Sequence, residues 1–139
     1  MKIGYPLTAV GRRGGRLISH KVVLGADGAI SSQDGRADSG IQAAKTGSET
    51  GRYTFTYAGS RTVRRFGGAF VTLVGPDDAV FGAIAKGFTH FWRDNDWDGG
   101  AKDGTVELQF VTTGATNYDD AELPDSTTFY AVFFVEEGE

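Results

Sequence analysis

Asp94-Asn95-Asp96-Trp97-Asp98-Gly99 places side-chain oxygens at alternating positions ahead of a glycine. Hard oxygen donors at that spacing, followed by a sharp turn, are how a Ca²⁺-binding loop begins. A helix-loop-helix site needs Glu at the twelfth position, but Thr105 stands there and Glu107 comes two residues later. The flanking residues also read as strands. Two readings stay open: an irregular Ca²⁺ loop held by Asp94, Asp96 and Asp98, or a solvated acidic hairpin tip anchored by Trp97.

Nucleophilic catalysis finds little to work with. The chain has no cysteine and no Gly-x-Ser-x-Gly, and its only imidazoles are His20 and His90. His90 lies among Phe88, Phe91 and Trp92, where a hydrogen-bonded structural histidine is the default. Acid pairs such as Asp77-Asp78 and Asp119-Asp120 fall in turn-like segments. A chain with eighteen acidic residues offers many such pairs, and only geometry makes one a dyad. The expectation is a protein that is not an enzyme.

Gly11-Arg12-Arg13-Gly14-Gly15-Arg16 exposes backbone N–H groups beside guanidinium forks, a combination suited to anions. It lacks the Lys-Ser/Thr ending of a P-loop. The segment reads instead as an extended basic arm over residues 1–16, with Lys2, Tyr5, Arg12, Arg13 and Arg16 as its contact residues. A second basic cluster, Arg61, Arg64 and Arg65, lies between two expected strands. Beside Tyr53, Phe55 and Tyr57 it resembles a stacking platform for nucleic acid. Three aromatics on one strand face more simply fill a core. The net charge of −4 also argues against a specific nucleic-acid partner.

The elements that must carry these residues are strands. Arg52-Tyr53-Thr54-Phe55-Thr56-Tyr57 alternates perfectly, as does 105–112, with Val106, Leu108 and Phe110 against Glu107 and Gln109. Further strands are expected at 17–24, 29–32, 69–74, 80–85, 88–92 and 128–135. Gly25-Ala26-Asp27-Gly28 and Gly75-Pro76-Asp77-Asp78 are turn signals. The last strand is apolar on both faces, which suits a central strand or one whose outer face meets another chain. Residues 33–51 read as a long polar loop with a weak helical turn near Ile41–Lys45, and 113–127 as a second polar loop. The fold class expected is all-β: an antiparallel sandwich, jelly-roll-like, or a small barrel, as one domain over 17–139.

Charge is sorted along the chain. Residues 1–65 hold eleven basic and four acidic side chains, whereas 66–139 hold three and fourteen. Such a division suits a subunit that meets different neighbours on different sides. No apolar run approaches the ~20 residues of a membrane span, so no membrane partner is expected. The N-terminus has no signal-peptide pattern, and the chain reads as a soluble protein made in a cytoplasm.

From Gly51 onward the order of features resembles small virion proteins of tailed bacteriophages. The likeness rests on the alternating strand 52–57, Phe70-Val71-Thr72-Leu73-Val74, Asp-Gly-Thr-Val-Glu-Leu-Gln-Phe at 103–110, Leu-Pro-Asp at 123–125 and Thr-Phe-Tyr-Ala-Val-Phe-Phe-Val at 128–135. The resemblance implies a capsid decoration, or cement, protein on the virion surface. Such a protein is a homo-oligomer, trimer favoured, that bridges major capsid subunits through an extended arm. A tail or head-fibre component is its nearest sibling. The third class is a Ca²⁺-dependent carbohydrate-binding sandwich with Trp92, Trp97 and Tyr118 as stacking platforms.

Overall fold

The computed structural model describes residues 15–57, 63–75, 89–95, 104–113 and 118–137. Two antiparallel sheets pack face to face, an all-β sandwich. The first has the order β2-β1-β9-β5: β1 (Gly15–Leu24), β2 (Ile30–Gln33), β9 (Thr128–Glu137) and β5 (Val63–Val74). The second has the order β3-β4-β7-β6: β3 (Ile41–Lys45), β4 (Arg52–Tyr57), β7 (Thr105–Thr113) and β6 (Thr89–Asn95). A short β8 (Tyr118–Asp120) extends it beside β7. One helical turn, α1 (Arg36–Ser39), links β2 to β3.

Period-two patterning decides which side chains meet. Tyr53, Phe55 and Tyr57 are fully buried, and Val106, Leu108 and Phe110 answer them from β7. From the facing sheet come Ile18, Val22 and Leu24 of β1 with Phe129, Ala131, Phe133 and Val135 of β9. The aromatics of β4 therefore fill the interior rather than forming a nucleic-acid platform. β9 is the central strand its composition called for, hydrogen-bonded to β1 on one side and β5 on the other.

Several expectations are corrected. Residues 33–51 are not a long loop, because they hold α1 and the whole of β3. Nor is Ile41–Lys45 helical. Ile41 and Ala43 are buried while Gln42 and Ala44 are exposed, and all five residues pair with β4. An alternating face with a partner strand beside it outweighs the helix preference of two alanines. The polar stretch 113–127 likewise contains β8, and Leu123 joins the core. Gly15 and Arg16, expected in the arm, belong instead to β1 and pair with Glu136 and Val135, and residues 1–14 lie outside the described residues. β9 runs far enough to offer Gly15 and Arg16 backbone partners, and paired N–H and C=O groups are favoured over an unpaired extended chain. The expected strand at 80–85 lies outside the described residues.

Among the described residues, charges of the two halves meet in space. Lys45 pairs with Glu122 at 2.8 Å and Arg52 lies 3.6 Å from Asp120, so basic residues of the first half meet acids of the second. The strand order also runs β1 and the start of β5 (63–65), both from the basic half, along the two sides of the acidic end of β9. Sorting along the sequence becomes mixing in the fold.

Candidate functional site

A buried polar cluster joins the two sheets at their β2/β3 edge. His20 sits on the inner face of β1 with no exposed surface. Its Nδ1 is 2.7 Å from Ser39 Oγ, and its Nε2 is 2.8 Å from Gln33 Oε1. Gln33 is oriented by the backbone of β3: its amide donates to the Ala43 carbonyl, and its Oε1 accepts the Ala43 N–H. That orientation assigns the tautomer. Nε2–H donates to Gln33, which leaves Nδ1 to accept the Ser39 hydroxyl proton. The hydroxyl–imidazole pair has the contact of a nucleophile and its base. Both side chains are buried, however, and Ser39 Oγ also accepts the Ile41 N–H at 3.1 Å. The cluster acts as a bridge between layers.

Burial holds the His20 pKa below the ordinary imidazole value, against smaller upward pulls from the Gln33 bond and the Asp34 charge. Burial lowers His90 as well, where the ring packs on Phe110 at 6.2 Å between centroids. The unfolded chain therefore binds protons more readily than the folded one below the ordinary value of 6.5. Stability is full above that pH and falls as pH drops toward the folded values, by up to about 1.4 kcal/mol per pH unit for each histidine. Urea midpoints between pH 7.5 and 5 are expected to fall, and His20→Gln should flatten the slope. Parallel slopes for the two proteins would remove His20 from this account.

A second knot ties the turn after β1 to β3, β4 and the segment following β8. Glu122 Oε1 accepts from Lys45 Nζ at 2.8 Å and from the Gly51 N–H at 3.2 Å. Lys45 Nζ also donates to the Asp27 carbonyl, and Tyr53 OH donates to the Gly28 carbonyl at 2.6 Å. Desolvation, with the Glu122 charge nearby, pushes the Tyr53 phenol well above its usual range, so it remains a donor. Close by, Arg52 donates from Nε to Gln109 Oε1, while Gln109 holds the Thr50 and Phe110 carbonyls.

The outer face of the β2-β1-β9-β5 sheet has a different character. Register places Leu17 beside Phe134, Ser19 beside Val132 and Phe70, Lys21 beside Tyr130 and Thr72, and Val23 beside Thr128 and Val74. Leu17, Phe70 and Val74 remain 52%, 45% and 47% exposed, and the Phe70 and Phe134 rings lie 6.0 Å apart. The rows of Leu17 with Phe134 and of Ser19 with Val132 and Phe70 carry no charge, and Lys21 stands in the next row. Exposed apolar side chains gathered in this way can serve as a contact surface, and Phe91 adds an exposed ring on the other sheet.

Of the residues expected to act, Arg16 lies in β1, and Lys2, Tyr5, Arg12 and Arg13 lie outside the described residues. The backbone of Asp94 belongs to β6, so the strand continues into the segment read as a turn. Asp96 and Asp98 fall outside the described residues. Among the described residues no group of three or more His, Asp or Glu assembles to hold a metal. Trp92 is not a stacking platform, because its ring packs inward on Phe55 and Phe133 at 5.8 and 5.3 Å. Sequence reasoning missed the His20–Gln33–Ser39 bridge and the outer face, both built from residues far apart in the chain. The dual apolar character of β9 was the one local signal for the latter.

Among the described residues no helix is long and apolar enough to cross a membrane. Compared with known proteins, the chain matches no family model, no curated protein and no solved structure.

Proposed function

We propose that this chain is a structural virion protein that binds the outer surface of a tailed-phage capsid and stabilises the shell by bridging major capsid subunits. It performs no reaction and works as a homo-oligomer, three copies by the resemblance. The observation that carries the reading is the uncharged face of Leu17, Phe70, Val132 and Phe134 on a two-layer sandwich. Residues 1–14 enter β1 at the corner of that face. A clamp needs one surface for one subunit and a reaching segment for the next. The face supplies the first and residues 1–14 the second. Among the described residues basic and acidic side chains of the two halves meet, so the reading takes apolar contact as the source of affinity.

Cosedimentation with empty phage heads tests this. Wild-type protein is expected to pellet with the heads. Phe70→Asp should weaken binding by more than tenfold while leaving the unfolding midpoint nearly unchanged, since the side chain lies on the outer face. Deleting residues 1–14 should leave a folded domain that no longer holds shells. Full occupancy by both variants would overturn the reading.

A further inference from the structure

We propose that the β2–α1 corner is an acid-released latch over the edge of β3, and that β3, once uncovered, pairs edge to edge with β3 of a second copy of this chain. This goes beyond the virion role and does not rest on it.

Among the described residues β3 is an edge strand of its sheet, so alternate backbone groups point away from β4. Side chains of the corner take the place of a neighbouring strand. The Gln33 amide donates to the Ala43 carbonyl at 2.9 Å and accepts the Ala43 N–H at 2.8 Å, as a backbone amide on an added strand does. Ser39 Oγ accepts the Ile41 N–H at 3.1 Å. His20 holds both caps, Gln33 through Nε2 and Ser39 through Nδ1. A strand edge is a template for pairing with another chain, and here three polar side chains keep it occupied.

The corner is lightly anchored. Ile30 packs on the core, but Ser31, Ser32 and residues 35–38 are exposed, and the buried Ser39 is polar. Gly35 and Gly40 flank α1, and Gly40 has φ +79°. A segment with so few apolar contacts opens locally before the core does.

Charge on His20 favours the open corner, because the closed ring is wholly buried and the open ring is wet. Among the described residues, the elements around it carry Lys21 on β1, Asp34 after β2, Arg36 and Asp38 on α1, Lys45 on β3, and Tyr53 and Tyr57 on β4. Asp34 pulls the ring toward its charged form, but burial outweighs it. Asp34 is itself part of the latch, accepting the Lys21 N–H at 2.9 Å. Lys45 is held by Glu122 and the Asp27 carbonyl. Below the ordinary value of 6.5, each pH unit therefore enlarges the open fraction by up to about tenfold.

The uncovered edge is complementary to itself. A two-fold axis at Ala43 sets Ile41 of one copy against Lys45 of the other, and Gln42 against Ala44. No like charges meet, and the outward row of Gln42 and Ala44 is exposed and uncharged.

Two experiments test this on the full chain. Amide exchange, corrected for its intrinsic pH dependence, is followed at Ala43 and at Phe55, which pairs with Val106 inside the sheet. Between pH 6.5 and 5 the Ala43 rate should rise up to about tenfold per unit while Phe55 holds, and His20→Gln should flatten the rise. No rise at Ala43, or an equal rise at Phe55, would overturn the latch. For the pairing, the absence of native cysteine allows chains carrying Gln42→Cys to be activated as the pyridyl disulfide, which exchanges with thiols even in acid. Mixed with Ala44→Cys chains at pH 5, they should link at least tenfold more than at pH 7.5, and at least tenfold more than with Gln42→Cys chains. His20→Gln in both chains should suppress the product. Equal yields at the two pH values, or for the two combinations, would overturn the pairing, and the comparison of combinations holds whether or not the His20 variant folds.

Discussion

Gly51→Ala is expected to be among the most damaging single substitutions in this protein. Gly51 has φ +67°, and a Cβ built there would lie 2.1 Å from the Ala121 carbonyl oxygen and 3.1 Å from that of Phe110. Both obstacles are backbone, held by the ladder itself: Phe110 donates to the Gly51 carbonyl, and Ala121 donates to the Phe110 carbonyl. No rotamer change relieves such contacts. Left-handed strain alone costs about 1–3 kcal/mol, and displaced backbone adds to it, for a loss on the order of 3 kcal/mol or more. Gly47 is the internal control. It too has positive φ, +53°, but a Cβ there meets nothing within 4 Å. Gly47→Ala should therefore cost only about 1 kcal/mol. Urea denaturation of both variants separates conformational strain from steric exclusion. Equal losses would show that the approach of Ala121 to Gly51 carries no energetic weight.

Phe55→Ala should cost about 3–5 kcal/mol, the range for truncating a buried aromatic. The ring has no exposed surface and meets Phe133 at 5.4 Å, Trp92 at 5.8 Å, His20 at 6.2 Å and Phe129 at 6.4 Å between centroids. It touches β1 and β9 of one sheet and β6 of the other, so its removal opens a void between layers. With total stability on the order of 5–15 kcal/mol, the variant is left marginal. Phe55→Leu, which retains most of the volume, should lose less than half as much. A loss below about 1 kcal/mol for Phe55→Ala would mean that the layers close over the void.

Strands with a strict two-residue period were legible in the sequence: β4, β7 and β9 stand where alternation or continuous apolarity put them. β3 was hidden because Gln42-Ala43-Ala44 carries no β-branched or aromatic residue, and only its partner makes it a strand. β5 begins at Val63, earlier than expected, because Arg64-Arg65 and Gly67-Gly68 obscure it. Its pairing with β9 shifts register beside Gly68, where a bulge absorbs the irregularity. Three-residue β8 and four-residue α1 are too short to show a period. The candidate site was harder to read for a different reason. Leu17, Phe70 and Phe134 become neighbours only through the order β1-β9-β5, and His20, Gln33 and Ser39 only through packing of the two layers. Local pattern gives each strand its two faces, but not which strand lies beside it.

The position of β9 between β1 and β5 also governs how the chain must be made. β1 and β9 are partners separated by more than a hundred residues. At 5–20 residues per second, a ribosome needs roughly 5–25 s to deliver the second after the first. Throughout that interval Ile18, Val22 and Leu24 have no sheet to enter, and one whole layer waits for its middle member. A nascent chain interrupted before Thr128 would lack the strand that joins β1 to β5, so truncated products are expected to fall to proteolysis.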